Sequence, residues 1–323
     1  MNSPIVVTGA AGFIGGQTAL KFKAAGYQVV GIDRRPCPER LQDAFYRFVQ
    51  SDVVDFPSQA AILHAHSPAI IHCAGSSLVG PSIKNPGDYY ENNVFKTMQL
   101  MDYVRKVLPE TRIIFSSSAA TYGEPVMSPC HEVDPCDPIN PYGDSKYMSE
   151  RMMAAYRTAY NLDYVAFRYF NATGADPQAR HGQDPGATHI IARVLESIRD
   201  NKQFTLFGVD YPTEDGTCVR DYIHIDDIAD AHILALDQKV EAGVYNLSTN
   251  HGVSNLEIIH TAERITGKKL DMVRSTQPRG GDPAVLVGNP AKFDRVVGDW
   301  RKYQLDDIIQ HVWNWYVRQD PKV

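Results

Sequence analysis

Residues 4–15 read PIVVTGAAGFIG, and the reading of this run decides the fold class. A short β-branched stretch ends at Thr8, glycines follow at positions 9, 12 and 15, and a helix-like stretch with Phe13 and Ile14 at its head runs on to Gly26. A buried strand that turns tightly into a helix needs positions without a Cβ. The helix N-terminus so formed offers free N–H groups and the positive end of a dipole to an anion such as a pyrophosphate. The spacing is GxxGxxG, and a glycine trio alone also fits a plain strand-to-helix turn.

The next segments narrow the choice. YQVVGID reads as a second strand that ends on Asp33, eighteen residues after Gly15. A carboxylate there accepts hydrogen bonds from a ribose diol and repels a 2′-phosphate, which favours NAD over NADP. Arg34 and Arg35 weaken that preference. FVQSD, the third strand, brings Asp52 toward an adenine. AIIHCAG, the fourth, ends in Cys73, Ala74 and Gly75 near the phosphates. For Cys73 a buried core thiol is the simpler reading.

Working outward, RIIFSSS and YVAFRYF are further apolar strands, with NVFKTMQLMDYVRKV and YGDSKYMSERMMAAYRTAY as helices around them. Strands that alternate with helices predict a doubly wound parallel sheet covered on both faces. After about residue 172 the texture changes. Residues 174–188 are rich in Gly, Pro and Asp and read as a loop, followed by a helix near 189–200, short strands, and a helix near 304–318. We therefore expect a nucleotide-binding domain over residues 1–172, with returning segments at about 219–250, and a smaller C-terminal α/β substrate lobe over 173–323. A cleft between lobes is the usual place for a substrate.

Composition removes several partners. The net charge of −6 and the absence of a long basic run speak against nucleic acid or an anionic membrane. No stretch reaches the roughly 18 apolar residues of a transmembrane helix, and the N-terminus is not a signal peptide. Five cysteines without CxxC spacing suit reduced thiols in a cytoplasmic protein better than disulfides or a metal site.

The chemistry is carried by NPYGDSKYMSE, residues 140–150. Tyr142 and Lys146, at i and i+4, share one face of a helix that Asn140-Pro141 starts, and Ser118 stands at the mouth of an upstream strand. A free tyrosine titrates near 10; bringing it to about 7 takes roughly 4 kcal/mol, which a close ammonium and a nicotinamide cation in a dry cleft can supply. Such a trio moves a proton to or from a carbohydrate hydroxyl.

These features resemble the extended short-chain dehydrogenase/reductase superfamily and its Rossmann-type sheet. FRYFNATGADP (167–177), LFGVDYPTEDGTCVRDYIHIDDIADAH (206–232) and PRGGDPA (278–284) are similar to the UDP-glucose (UDP-galactose) 4-epimerase family, over nearly the whole chain. The resemblance implies C4 epimerisation of a UDP-sugar through a transient 4-keto sugar, with NAD held tightly. Tyr142 would be the base, Ser118 would bridge sugar hydroxyl and phenol, and Lys146 would hold the nicotinamide ribose and tune Tyr142. It further implies Phe13, Ile14, Val53, Asn93, Ser116 and Tyr169 as cofactor residues. Asn171 would contact the sugar or diphosphate, His189 and Ile190 would grip the nucleotide, and Thr205 and Phe207 would border the uracil. Arg220 and Arg279 would pair with the diphosphate, as the planar fork of arginine suits, and Asp282 with the uridine ribose; for Arg220 an ion pair with Asp221 or Asp226 is the competing reading. The family is usually a homodimer, joined by helices such as those of NVFKTMQLMDYVRKVL and KYMSERMMAAY, whose apolar residues equally suit contact with the sheet.

Three positions depart from the family pattern: Ser77 where a lysine is frequent near the cofactor phosphates, Ala120 within SSSAATYG, and Val285. Val285 takes a position where side-chain size is linked to acceptance of an N-acetyl group at C2. Its intermediate size implies some N-acetylhexosamine turnover. THII at 188–191 is shared with pentose epimerases, which keeps UDP-xylose/UDP-arabinose, like UDP-uronates, as alternatives. Dehydration needs carboxylates before the YG pair, where Ala119, Ala120 and Thr121 stand. A nucleotide-sensing regulator would commonly lack the tyrosine or lysine that this chain keeps.

Overall fold

Apolar β-branched runs and helices alternate from the first strand onward. The computed structural model describes residues 4–55, 67–184, 186–238, 240–277 and 283–319. Its elements begin with β1 (Ile5–Thr8), α1 (Phe13–Ala24), β2 (Val29–Asp33), a 3-10 turn (Glu39–Ala44), β3 (Arg47–Gln50) and β4 (Ala69–His72). Next come α2 (Val79–Lys84), α3 (Pro86–Tyr89), a π-helical turn (Tyr90–Phe95), α4 (Lys96–Val107), β5 (Arg112–Ser118), α5 (Pro141–Tyr160), β6 (Tyr164–Tyr169) and β7 (Asn171–Thr173). The second half holds α6 (Ile190–Asp200), β8 (Phe204–Phe207), β9 (Val219–His224), α7 (Ile225–Asp237), β10 (Gly243–Leu247), β11 (Gly252–Ser254) and α8 (Asn255–Thr266). It closes with β12 (Met272–Ser275), β13 (Val285–Leu286), α9 (Ala291–Val297) and α10 (Leu305–Gln319).

Seven strands form one parallel sheet in the order β10-β6-β5-β4-β1-β2-β3. The chain winds outward from β1 to β3 and then returns to the other side of β1 with β4, so the crevice lies at the carboxyl ends of β1 and β4. Alternate residues of one strand serve opposite cores. Ile5 and Val7 pack with Phe22 of α1 and Ile228 of α7, whereas Val6 packs with Leu100 and Met101 of α4 and Met153 of α5. That two-sided burial is why these strands read as continuous apolar runs.

A second core, with Leu195, Ile258, Ile309 and Trp315, belongs to α6, α8 and α10. Beside it stand a small sheet of β11, β9 and β13, with β7 paired to β9, and a β8–β12 ladder. The segment expected to return at 219–250 divides between the two sheets. β9 belongs to the small sheet, and what returns to the large one is α7, packed on α1, and β10, paired with β6.

The Gly/Pro/Asp-rich stretch after β7 is a strap with its own hydrogen bonds. Asp176 accepts from the Gln178 and Arg180 backbone N–H groups, and His181 Nε2 lies 2.9 Å from the Phe13 carbonyl. Among the described residues no helix is long and apolar enough to cross a membrane.

Candidate active site

A cavity of about 860 Å³ lies where the carboxyl ends of the large sheet meet the second lobe, near the upper end of the about 300–1,000 Å³ typical of small-molecule sites. At one end it is lined by Gly9, Gly12, Phe13, Ile14 and Gly15, by Asp33, Asp52 and Val53, and by Cys73, Ala74 and Gly75. Ser116, Ser118, Tyr142, Lys146 and Tyr169 line its middle; Asn171, His189 and Arg220 close it from the other side.

The glycine turn is built for close approach. Gly9 has φ +67°, and a Cβ there would sit 2.7 Å from the Ala74 nitrogen; one on Gly15 would sit 2.3 Å from the Gly9 carbonyl oxygen. No side chain caps the N-terminus of α1. Asp33 accepts from the Ala11 N–H through Oδ2 (3.0 Å) and from the Arg35 N–H through Oδ1 (2.9 Å), which fixes its carboxylate at the cavity edge. A bare helix N-terminus, a cradle that a side chain would fill and a fixed carboxylate fit a dinucleotide.

Asn93 is corrected. It lies behind the wall, 1% exposed, where Oδ1 accepts from the Ser76 N–H (2.7 Å) and Nδ2 donates to the Ser76 carbonyl and Ser145 Oγ (both 2.9 Å). The π-helical turn that carries it sends its neighbours Asn92 and Lys96 to the wall instead. Lys96 Nζ donates to Asp52 Oδ2 at 2.7 Å. Burial works against the Asp52 carboxylate, but this bond and charge, with the Val54 N–H, hold it below its ordinary range. Lys96 was invisible to motif reading because no sequence period marks an extra residue in a helical turn.

At the chemical end, Asn140 caps α5 by accepting from the Gly143 N–H (2.9 Å), with Pro141 at the first helical position. A Cβ on Gly143 would meet the Ala120 carbonyl oxygen at 2.4 Å, so α5 starts in direct backbone contact with the β5 end. Tyr142 is hydrogen-bonded to the Ser118 side chain, and Lys146 Nζ donates to the Ser116 carbonyl at 2.7 Å. Burial pushes the Tyr142 phenol up, and the Ser118 bond pulls against it. The ammonium expected to lower the phenol is aimed at a carbonyl instead, and burial brings Lys146 itself down to about 8. One turn on, Glu150 makes a buried pair with Arg168 (2.6 and 3.0 Å) and accepts from Ser117.

The remaining expectations divide. Arg220 Nη1 donates to the Val219 carbonyl at 2.8 Å, while the Asp221 carboxylate is engaged by Thr249, Asn250 and Gly288, and that of Asp226 by Gln17 and Lys21. Ile190, Thr205, Phe207 and Val285 do not line the cavity. Thr205 and Phe207 pair with β12, and Val285 pairs with Val219 while its neighbours Pro283 and Leu286 reach the wall. Arg279 and Asp282 lie outside the described residues. Gln183 and Asp184, delivered by the strap, line the cavity without any sequence motif to mark them.

The profile of the NAD dependent epimerase/dehydratase family matches residues 5–248. The chain belongs to this family. Among relatives of this epimerase/dehydratase member, the UDP-glucose 4-epimerase of Halalkalibacterium halodurans is 40% identical over 321 residues, 97% of this chain and 95% of that one. Two solved structures are close in fold. One is the UDP-glucose-4-epimerase of Stenotrophomonas maltophila with bound NAD and formylated UDP-arabinopyranose (TM-score 0.93, 31% identity, all of both chains). The other is the UDP-glucose 4-epimerase of Brucella ovis in complex with NAD (TM-score 0.89, 37% identity, 97% of this chain and 98% of that one).

Proposed function

We propose that this protein is an NAD-dependent UDP-sugar 4-epimerase, an isomerase with no net redox change. The observation that carries the reading is a single cavity joining the glycine turn and Asp33 to Tyr142, Ser118 and Lys146. The kinship with UDP-glucose 4-epimerases along nearly the whole chain supports the same reaction.

When bound, NAD supplies an acceptor for the hydrogen on sugar C4 and gives it back. The chain's own residues handle the proton and the geometry. Gly9, Gly12 and Gly15 admit the pyrophosphate, Asp33 takes the adenosine ribose, and Asp52 with Lys96 borders the adenine. Ser118 passes the 4-hydroxyl proton to Tyr142, and Lys146 stays charged beside them up to about pH 8. Arg220, Asn171 and His189 stand on the opposite wall for the UDP-sugar, where a diphosphate anchor lets the 4-keto sugar turn without escaping.

We further infer a nucleotide-binding unit made of the first 172 residues with α7 and β10, and a homodimer. Leu78, Ile83, Phe95 and Met148 expose apolar surface on neighbouring elements that suits a second copy. The five cysteines, none of them in a disulfide, agree with a cytoplasmic setting. Val285 predicts some turnover of UDP-N-acetylhexosamines.

A panel of UDP-hexoses, UDP-N-acetylhexosamines, UDP-uronates and UDP-pentoses, with C4 epimers separated by chromatography and no NAD added, tests the function. Conversion of UDP-galactose to UDP-glucose supports it; conversion of pentoses or uronates alone moves the assignment to those sugars. No epimer from any of them, or dependence on added NAD with NADH building up, contradicts it.

A further inference from the structure

Behind the cavity wall runs a line of buried hydrogen bonds that the proposed chemistry leaves unused. Ser116 Oγ lies 3.2 Å from Cys73 Sγ and 3.0 Å from the Tyr169 hydroxyl, and that hydroxyl lies 2.7 Å from His232 Nε2. Cys73, Ser116 and Tyr169 line the cavity, whereas His232, on α7, is wholly buried behind them with its ring edge-on to Phe167 and Tyr169. A chain of hydroxyls can run in either direction, and the imidazole at its inner end decides which.

We propose that His232 is a positioning residue that draws the hydroxyl protons of this line into the wall. The Tyr169 oxygen then turns only acceptor lone pairs toward the nicotinamide, and the site selects the carboxamide NH₂ as its partner. This rests on the NAD reading given above.

The polarity follows from the surroundings. Burial keeps the His232 imidazole neutral, bringing it down to about 3, so one ring nitrogen carries a proton and the other accepts. Nδ1 makes no hydrogen bond of good geometry, and the acceptor it faces is the Ile228 carbonyl, one turn back on α7. A bare lone pair against a carbonyl oxygen repels, so the proton sits on Nδ1 and Nε2 accepts. Burial holds the Tyr169 phenol well above its ordinary value, so it keeps its one proton and donates it to Nε2. Ser116 then donates to Tyr169 or to Cys73, and in either case the Tyr169 oxygen, its one proton spent on Nε2, has only lone pairs left to offer. With the reverse tautomer, Tyr169 would have a proton free for a ligand carbonyl.

The test uses a dinucleotide whose carboxamide NH₂ is replaced by methyl, 3-acetylpyridine adenine dinucleotide. The full-length chain is equilibrated with an equimolar mixture of this analogue and NAD, and the bound pool is analysed by chromatography. The wild type should prefer NAD by about tenfold or more, the scale of one lost hydrogen bond in a closed site. His232→Phe, which cannot accept, should bring the preference to within about threefold. His232→Gln, whose amide oxygen can accept from Tyr169, should restore most of it. A merely structural role for His232 would weaken both dinucleotides together and leave the ratio unchanged, and that result overturns the proposal, as does a wild type with no preference. Should His232→Phe fail to fold, Tyr169→Phe decides, with the same collapse expected. A wild type that holds neither dinucleotide sinks the NAD reading, and the proposal with it.

Discussion

Tyr142 and Lys146 stand one turn apart on α5 but hydrogen-bond to different residues of β5, Tyr142 to the Ser118 side chain and Lys146 to the Ser116 carbonyl. The phenol is pushed up by burial and the ammonium down to about 8. Catalysis needs an ionised phenol and a charged lysine; with the phenol raised and the ammonium near 8, activity should rise with pH up to about 8 and level off above it. Tyr142→Phe should lose about 10²–10⁴-fold in kcat, the usual share of a general base, with bound NAD unchanged. Full activity in that variant would remove Tyr142 from the reaction.

Ser118 is the group that pulls the Tyr142 phenol down against burial. Ser118→Ala should therefore push the phenol further up, lowering the rate by a similar factor at pH 6 and pH 8 and moving the final high-pH fall of the profile upward. A high-pH fall that stays where it is in wild type would mean that Ser118 positions substrate without tuning the tyrosine.

Gly9 packs on the β4 end so tightly that an added Cβ would sit 2.7 Å from the Ala74 nitrogen, at a positive φ that side chains resist. We expect Gly9→Ala to purify with little NAD and to melt several degrees lower even after NAD is supplied. Normal NAD content would show that the turn has slack.

The Glu150–Arg168 pair is buried on both sides, with relative side-chain exposures of 3% and 4%. Removing one partner strands the other, so Glu150→Leu should cost about 3–5 kcal/mol in urea unfolding, and the Glu150→Leu/Arg168→Leu double variant should recover much of it. A single variant as stable as wild type would contradict this.

Burial raises the Asp227 carboxyl to about 7, although it accepts from the Lys302 and Tyr303 N–H groups; Asp226 and Asp230 raise it further. A carboxyl raised above its unfolded value binds more protons in the folded state. Its ionisation therefore destabilises the fold as pH climbs from about 4 through 7. Asp227→Asn should gain in melting temperature over wild type at pH 8 and show a smaller gain at pH 5. The opposite trend would mean the carboxylate is stabilised where it lies.

The large sheet and its dinucleotide turn were legible because doubly buried strands and Cβ-free turns leave local marks: IVVT, the glycines at 9, 12 and 15, and Asp33. The Tyr142/Lys146 pair was legible because a helix repeats every 3.6 residues. What the sequence hid depends on distant partners. Nothing local says that Lys146 would bond to a strand carbonyl, that a π-helical turn would hide Asn93 and expose Lys96, or that the strap would lay His181 on Phe13. Likewise β9 reads like any buried strand, and only its pairing with β7, β11 and β13 assigns it to the small sheet.

The central claim is that hydrogen leaves C4 of the sugar and returns to the same carbon on its other face. UDP-galactose deuterated at C4, incubated with the purified protein and no added NAD, measures this by NMR of the product. The account predicts UDP-glucose that keeps its deuterium at C4. Product with solvent hydrogen at C4, or no product at all, would contradict it.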